Sequence, residues 1–136
     1  MKISKNGLNY LIQREGSKTF AYKDVKGIWT IGVGHTGPEV VEGLVWTTAK
    51  IDAVLLTDIT WAEAAVNAVD CPLSENQFDA LVSFVFNIGA SAFYNSTMRR
   101  LLNKGEYELA AKQFDRWVIP KKITARRMSE KAQFLD

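Results

Sequence analysis

Between residues 14 and 37 the helical spacing of apolar residues that governs the rest of the chain breaks down. This stretch, REGSKTFAYKDVKGIWTIGVGHTG, holds five of the nine glycines, the only histidine, a glutamate, and an aspartate at a turn. Glycines gather where the backbone needs positive φ, so the segment cannot continue as helix. On both sides apolar residues recur every three to four positions. A chain patterned this way is expected to place a small β element among helices, an α+β architecture.

Within the segment, FAYK and IWTIGVG alternate like strands around DVKG, where Asp24 opens a turn and Gly27 can take positive φ. A β-hairpin is expected there, with a third short strand near residues 40–46. Upstream, Leu8, Leu11, Ile12 and Glu15 share one helical stripe and Ser4 can cap it, predicting a helix over 4–15. Downstream, Ile51, Leu55, Ile59, Ala62, Val66 and Val69 predict one long helix from Thr47 to the Cys71-Pro72 break. Ser74 and Gln77 form a capping-box pattern ahead of Phe78, Leu81, Val82, Val85 and Phe86, and Gly89 ends that helix. It is apolar on more than one side, which marks it as the buried centre of a helical lobe. Shorter helices are expected at 96–103, 106–117 and 124–134. The chain then reads as a single domain over 1–136. A small hairpin lobe at 14–58 is joined by a long helix to a helical lobe at 70–136, which also takes in the first helix. Clefts favour such junctions.

The 136 residues, 47 % apolar and 24 % charged, have the composition of a soluble globular domain with a core of its own. The lone Cys71 excludes an intramolecular disulfide and reads as a small buried hydrophobe rather than a reactive thiol. MKISKNGLNYLIQREG has no apolar run fit for a signal peptide or membrane anchor. Synthesis in the cytosol is therefore expected, with outside help to reach any target beyond the membrane. The net charge of +2 is unevenly spread: +4 over residues 2–35, −7 over 39–79 and +6 over 99–131. Two basic segments around an acidic one can line a cleft for an anionic polymer. Solvated helix faces explain the same pattern equally well. The basic stretch carries no recognised nucleic-acid motif, so no nucleic-acid partner is expected.

Three polar residues invite a chemical reading. Glu15 ends the first helix on its apolar stripe, where burial and the negative end of the helix dipole disfavour a carboxylate and predict a raised pKa. A raised carboxyl suits a general acid. Asp24, bonded to turn amides, is expected to stay ionised, and Thr30 lies close enough across the hairpin to share a water with it. Two carboxyls in different settings suit glycosidic bond hydrolysis. An ordinary helix-terminal Glu and an Asx-turn Asp remain open as alternatives. His35 has no Cys or His partner at ligand spacing, so no metal and no cofactor are expected. Gly32 and Gly34 share a strand face with Thr30, where a sugar could approach the backbone, although a twisted or bulged strand accounts for them too. Phe86-Asn87-Ile88-Gly89 and Asn95-Ser96 sit at helix ends, where capping is their default role. Arg126 and Arg127 can be solvated, and Trp61 and Trp117 read as core.

Glu15, Asp24 and Thr30, set within EG…FAYKDVKGIWTIGVGHT, resemble the catalytic segment of phage-type lysozymes, the endolysins of glycoside hydrolase family 24. LSENQFDALVSFVFNIG, FYNST, FDRW and ARRMSE follow in the same order, so the resemblance spans nearly the whole chain. It implies a lysozyme-like fold and cleavage of the β-1,4 link between N-acetylmuramic acid and N-acetylglucosamine in bacterial peptidoglycan. Glu15 would donate the proton, and Asp24 and Thr30 would position the attacking water. The resemblance pairs His35 with Asp58, lays Phe86, Asn87 and Ser96 along the sugar groove, and sets an Arg of the 126–127 pair beside the catalytic Glu. It also implies a monomer that waits in the host cytoplasm for a holin. Two features depart from the family. Only VIPKKITA separates Trp117 from the Arg pair, where a longer glycine-containing loop is usual. The signal anchor of some relatives, and the Cys that some of those carry in place of Asp24, are missing.

Overall fold

The computed structural model describes all 136 residues, Met1–Asp136. The chain divides into two compact units, one of residues Asn9–Thr60 and one of Met1–Leu8 with Trp61–Asp136. The first boundary falls inside helix α1 (Lys5–Glu15).

In the unit Asn9–Thr60, α1 ends at Gly16, whose φ of +78° no other residue type adopts without strain and whose amide bonds the Ile12 carbonyl at 2.8 Å. Strands β1 (Lys18–Lys23) and β2 (Trp29–Gly32) form the expected antiparallel hairpin, pairing Tyr22 with Thr30 and Lys23 with Trp29. The expected third strand reduces to one bridge, Phe20 to Val45, flanked by backbone bonds Ala21 to Leu44 and Trp46 to Thr19. Gly43, at φ +88°, turns the chain just before it and leaves too few extended residues for a ladder. Helix α2 (Thr48–Asp58) starts at Thr47, whose hydroxyl oxygen accepts the Lys50 amide at 3.1 Å. Leu11, Ile31, Val33, Val40, Ile51, Leu55 and Ile59 are the buried apolar residues of the unit Asn9–Thr60.

The long helix expected from Thr47 is instead two segments, α2 and α3 (Thr60–Asn67), that meet at Ile59. Two β-branched threonines flank the break. The Thr60 hydroxyl donates to the Thr57 carbonyl at 2.9 Å, competing for the acceptor that an unbroken helix reserves for the Trp61 amide.

The second unit is built around α4 (Glu75–Ile88), in which Phe78 through Val85 are all buried. Both halves of the Ser74–Gln77 capping box form, at 3.1 and 2.9 Å, and Gly89 closes the helix at φ +95°. Around it lie α5 (Ala90–Tyr94), α6 (Thr97–Asn103), α7 (Tyr107–Lys112) and α8 (Thr124–Leu135), with α8 packed along α4. The helix expected over 106–117 is α7 followed by a 3₁₀ turn, Gln113–Arg116, that tucks Phe114 into the core. The five-residue α5 and a 3₁₀ turn at Lys121–Ile123 are too short to register as a hydrophobic period. Phe84 meets Phe93, Phe114 and Trp117 edge-on, at centroid distances of 6.5, 5.1 and 5.6 Å. Truncating so central a ring to Ala costs about 3–5 kcal/mol in typical cores.

Two buried carboxylates tie the first residues to this unit. Glu63 accepts the Ile3 amide at 2.7 Å, and Asp79 accepts the Ser4 amide at 3.0 Å as well as the Ser4 hydroxyl. Ser4 in turn caps α1 by accepting the Gly7 amide at 3.0 Å. A Cβ on Gly7 would collide with the Asp79 carboxylate, which explains the glycine inside a helix.

Candidate active site

The hairpin turn is built by its own polar groups. The Asp24 amide bonds the Ile28 carbonyl at 2.9 Å, and the Gly27 amide bonds the Asp24 carbonyl at 2.9 Å. Asp24 Oδ1 accepts the amides of Lys26 and Ile28, at 2.8 and 2.9 Å. Thr30, only 4 % exposed, donates its hydroxyl to the Ile28 carbonyl at 2.9 Å. One carbonyl oxygen thus holds both the Asp24 amide and the Thr30 hydroxyl, and so brings the two residues together. Because Thr30 spends its proton on Ile28, its oxygen is left as an acceptor. The turn engages only Oδ1 of Asp24, so Oδ2 keeps its acceptor capacity. Two acceptors fixed by backbone can hold a water by its protons and aim its lone pair.

Glu15 lies at the C-terminal end of α1. It is exposed, which corrects the expectation that it shares a buried stripe. That stripe is Leu8 and Leu11 with a half-buried Ile12, and the last turn runs out toward β1. Gly32 and Gly34 do not present a common strand face. Both have left-handed φ, +64° and +69°, in a tight loop where Ile31 and His35 exchange backbone bonds of 2.9 Å. Gly32 is buried, and a Cβ there would meet Trp46 at 3.3 Å, so its small size serves packing. Gly34 faces open space.

His35 bonds Asp58 through Nδ1 and Glu39 through Nε2, each at 2.7 Å. Burial lowers its pKa, but the hydrogen bonds and charges of Glu39 and Asp58 outweigh that and raise it above 6.5. The same bond lowers the Glu39 carboxyl below 4.5. Glu39 was missed in the sequence, although it lies four residues beyond the histidine.

The remaining expected site residues belong to the helical unit. Phe86 is half-buried and stacks on Trp61, at 5.9 Å and 26°. Trp61 is 44 % exposed and Trp117 half-buried, so neither is the core residue expected; each sits where a helix or 3₁₀ turn begins or ends. Ser96 is buried and fully used by the fold, accepting the Arg99 amide at 3.1 Å and donating to the Phe93 carbonyl at 2.7 Å. Arg127 is not solvated at all. It is 0 % exposed, bonding the Trp117 carbonyl at 2.8 Å, the Glu130 carboxylate and Asn87 Oδ1, with its guanidinium over the Phe84 ring. Arg126 is half-buried, bonding Glu130 at 3.1 Å and the Ser83 carbonyl at 2.9 Å. Glu130, also 0 % exposed, serves both arginines and the Ser83 hydroxyl. It was missed too, and its spacing of three and four residues from the pair was the available signal. Cys71 is half-buried rather than buried, beside Pro72 in the connection between α3, which already ends at Asn67, and α4. Burial raises its thiol above 9.0, so it stays protonated near neutrality.

A family model described as phage lysozyme matches residues 12–130, which include the Glu15–Asp24–Thr30 segment and the Arg126–Glu130 cluster. The chain belongs to the phage lysozyme family. It is 44 % identical to the endolysin of Salmonella phage P22, over all of this chain and 99 % of that one. A crystal structure of a mutant P22 lysozyme superposes with a TM-score of 0.94 at 42 % identity, covering 100 % of this chain and 99 % of the other. The muramidase domain of SpmX from Asticaccaulis excentricus superposes at 0.90 with 39 % identity, covering 99 % and 98 %. The α+β architecture of this phage lysozyme family member is therefore lysozyme-like, with its hairpin and eight helices.

Proposed function

We propose that this chain is an endolysin-type muramidase, one lysozyme-like domain that hydrolyses the β-1,4 bond between N-acetylmuramic acid and N-acetylglucosamine in bacterial peptidoglycan. Membership of the phage lysozyme family supports peptidoglycan as the target. What supports hydrolysis is the shared Ile28 carbonyl, which takes the Asp24 amide and the Thr30 hydroxyl and leaves each side chain an oxygen able to accept from a water. In this reading Glu15 protonates the glycosidic oxygen as the C–O bond breaks. The water held by Asp24 and Thr30 attacks the anomeric carbon and releases a reducing end. Gly34, Phe86 and Asn87 would line the bound glycan. Gly32, Ser96, His35, Asp58, Arg126 and Arg127 would support the surfaces that do so.

Product analysis on purified peptidoglycan tests the reaction. Reducing ends are expected. A 1,6-anhydro product would mean a lytic transglycosylase, which needs no positioned water, and no release would mean a wall-binding protein without turnover.

Lysis of the host follows if the enzyme reaches the wall. No helix is long and apolar enough to cross a membrane. Membership of the phage lysozyme family supports the further reading of a monomer that is held in the host cytoplasm and released by a holin. Expression alone should leave host cells intact, and permeabilising the inner membrane should lyse them. Lysis without permeabilisation would mean another route.

A further inference from the structure

Asn87 ends α4 beside a cavity of 420 Å³ that is also lined by Trp117, Ile119, Lys122 and Arg127. A free asparagine amide turns either its oxygen or its nitrogen outward. Here the choice is made from beneath. Arg127 is sealed in the core, and its Nη2 donates to Asn87. A guanidinium has only donors, so the atom facing it must be the amide oxygen. Glu130, equally buried, holds the same guanidinium through Nη1, and the Trp117 carbonyl takes Nε at 2.8 Å. Arg127 therefore has no spare rotamer with which to release the oxygen. The bond to Arg127 is made through Oδ1, which leaves Nδ2 of this exposed residue to donate outward.

We propose that Arg127 and Glu130 are positioning residues that lock Asn87 as a hydrogen-bond donor. Position 87 thereby selects a hydrogen-bond acceptor on the wall polymer and rejects a donor, and an amide carbonyl fits it. This rests on the muramidase reading, because it assigns Asn87 to substrate binding. Peptidoglycan offers such carbonyls in its N-acetyl groups and in its stem peptides, and both present the same chemistry.

The test compares kinetics on soluble glycan strands with and without stem peptides. Asn87→Asp keeps an oxygen for Arg127 but turns an acceptor outward. It should raise KM about tenfold, the worth of about one hydrogen bond reversed, with the loss falling on KM rather than kcat. A rise on both substrates assigns the N-acetyl carbonyl, and a rise only on peptide-bearing strands assigns a stem carbonyl. An unchanged KM on both overturns the proposal.

Arg127→Lys separates positioning from mere stability, since one ammonium cannot serve all three partners. Its unfolding midpoint should fall in both the parental and the Asn87→Ala background. Its KM should rise only in the parental one, and a KM rise of equal size in both would overturn the coupling. Failure of the muramidase reading is seen separately, as absence of reducing ends from the parental enzyme.

Discussion

In the β1–β2 turn, Asp24 is held by two backbone amides and Thr30 by a backbone carbonyl, within seven residues of chain. In α8, Arg127 is held mainly by other side chains and by a carbonyl ten residues away, and both it and Glu130 are closed off from solvent. The turn therefore fixes its polar groups through local geometry and keeps Asp24 half-buried, while Glu15 is exposed at the end of α1 in the same unit. The helix fixes its charges through burial, where each ion depends on the other. The difference teaches where activity and stability separate. They should come apart in the hairpin unit and move together in the helical one.

Glu15→Gln is the strongest test of the first half. The amide cannot donate a proton, so turnover should fall about 10²–10⁴-fold, the usual worth of general acid catalysis. Thermal unfolding should stay near the parental midpoint, since an exposed side chain is exchanged for one of the same shape. Near-parental clearing of wall suspensions would remove Glu15 from its role, and a large drop in midpoint would break the comparison itself.

Glu130→Gln tests the second half. It leaves Arg127 with an uncompensated buried charge, and breaking a buried pair from one side typically costs about 3–5 kcal/mol. Urea unfolding should show that loss directly. A cost under about 1 kcal/mol, as surface pairs give, would mean that burial does not distinguish α8 from the turn.

The two regions were also unequally legible. The hairpin could be read because Asp24, Gly27 and the flanking alternation act over a few residues, and the Ser74–Gln77 capping box is local in the same way. The burial of Arg127 could not, because it depends on Asn87, Trp117 and Phe84, which meet it only in the folded chain. The break at Ile59 escaped for a related reason. Apolar spacing continues straight through it, and only the hydroxyl of Thr60 and the ends of the two segments mark it. Gly32 shows a third kind of failure. Its positive φ belongs to a turn that resembles strand continuation until Trp46 is seen lying over it.

His35 combines the two patterns, a loop residue tied to Asp58 at the end of α2 and to the exposed Glu39. Its folded pKa lies above 6.5, so the stability it contributes is full below 6.5 and lost as pH rises through the raised value. Glu39 works in the opposite sense. Its contribution is present above 4.5 and lost as pH falls through its lowered value. Stability is therefore expected to peak between these limits. Unfolding followed from about pH 4 to about pH 9 should show the decline on the alkaline side, and Asp58→Asn should make it shallower. An unchanged slope in that variant would detach Asp58 from the titration.

The smallest effect is expected at Lys121 and Lys122, both exposed in the short segment between Trp117 and α8, with Lys122 on the cavity beside Asn87. Both ammonium groups face solvent, so their contribution is long-range charge rather than geometry, a third mode beside the turn and the buried cluster. Such attraction depends on ionic strength, because the Debye length shrinks from about 10 Å at 0.1 M to about 3 Å at 1 M. Replacing both with Gln should weaken binding to anionic cell walls at low salt and change little at high salt. Cleavage of a short uncharged chitooligosaccharide, where accepted, should stay as it was. Unfolding should be unmoved as well, since neither side chain is part of the core. A variant that bound walls equally poorly at both salt concentrations would have a packing defect in the 118–125 segment. The two lysines would then belong with the buried cluster rather than with the solvent-facing charges.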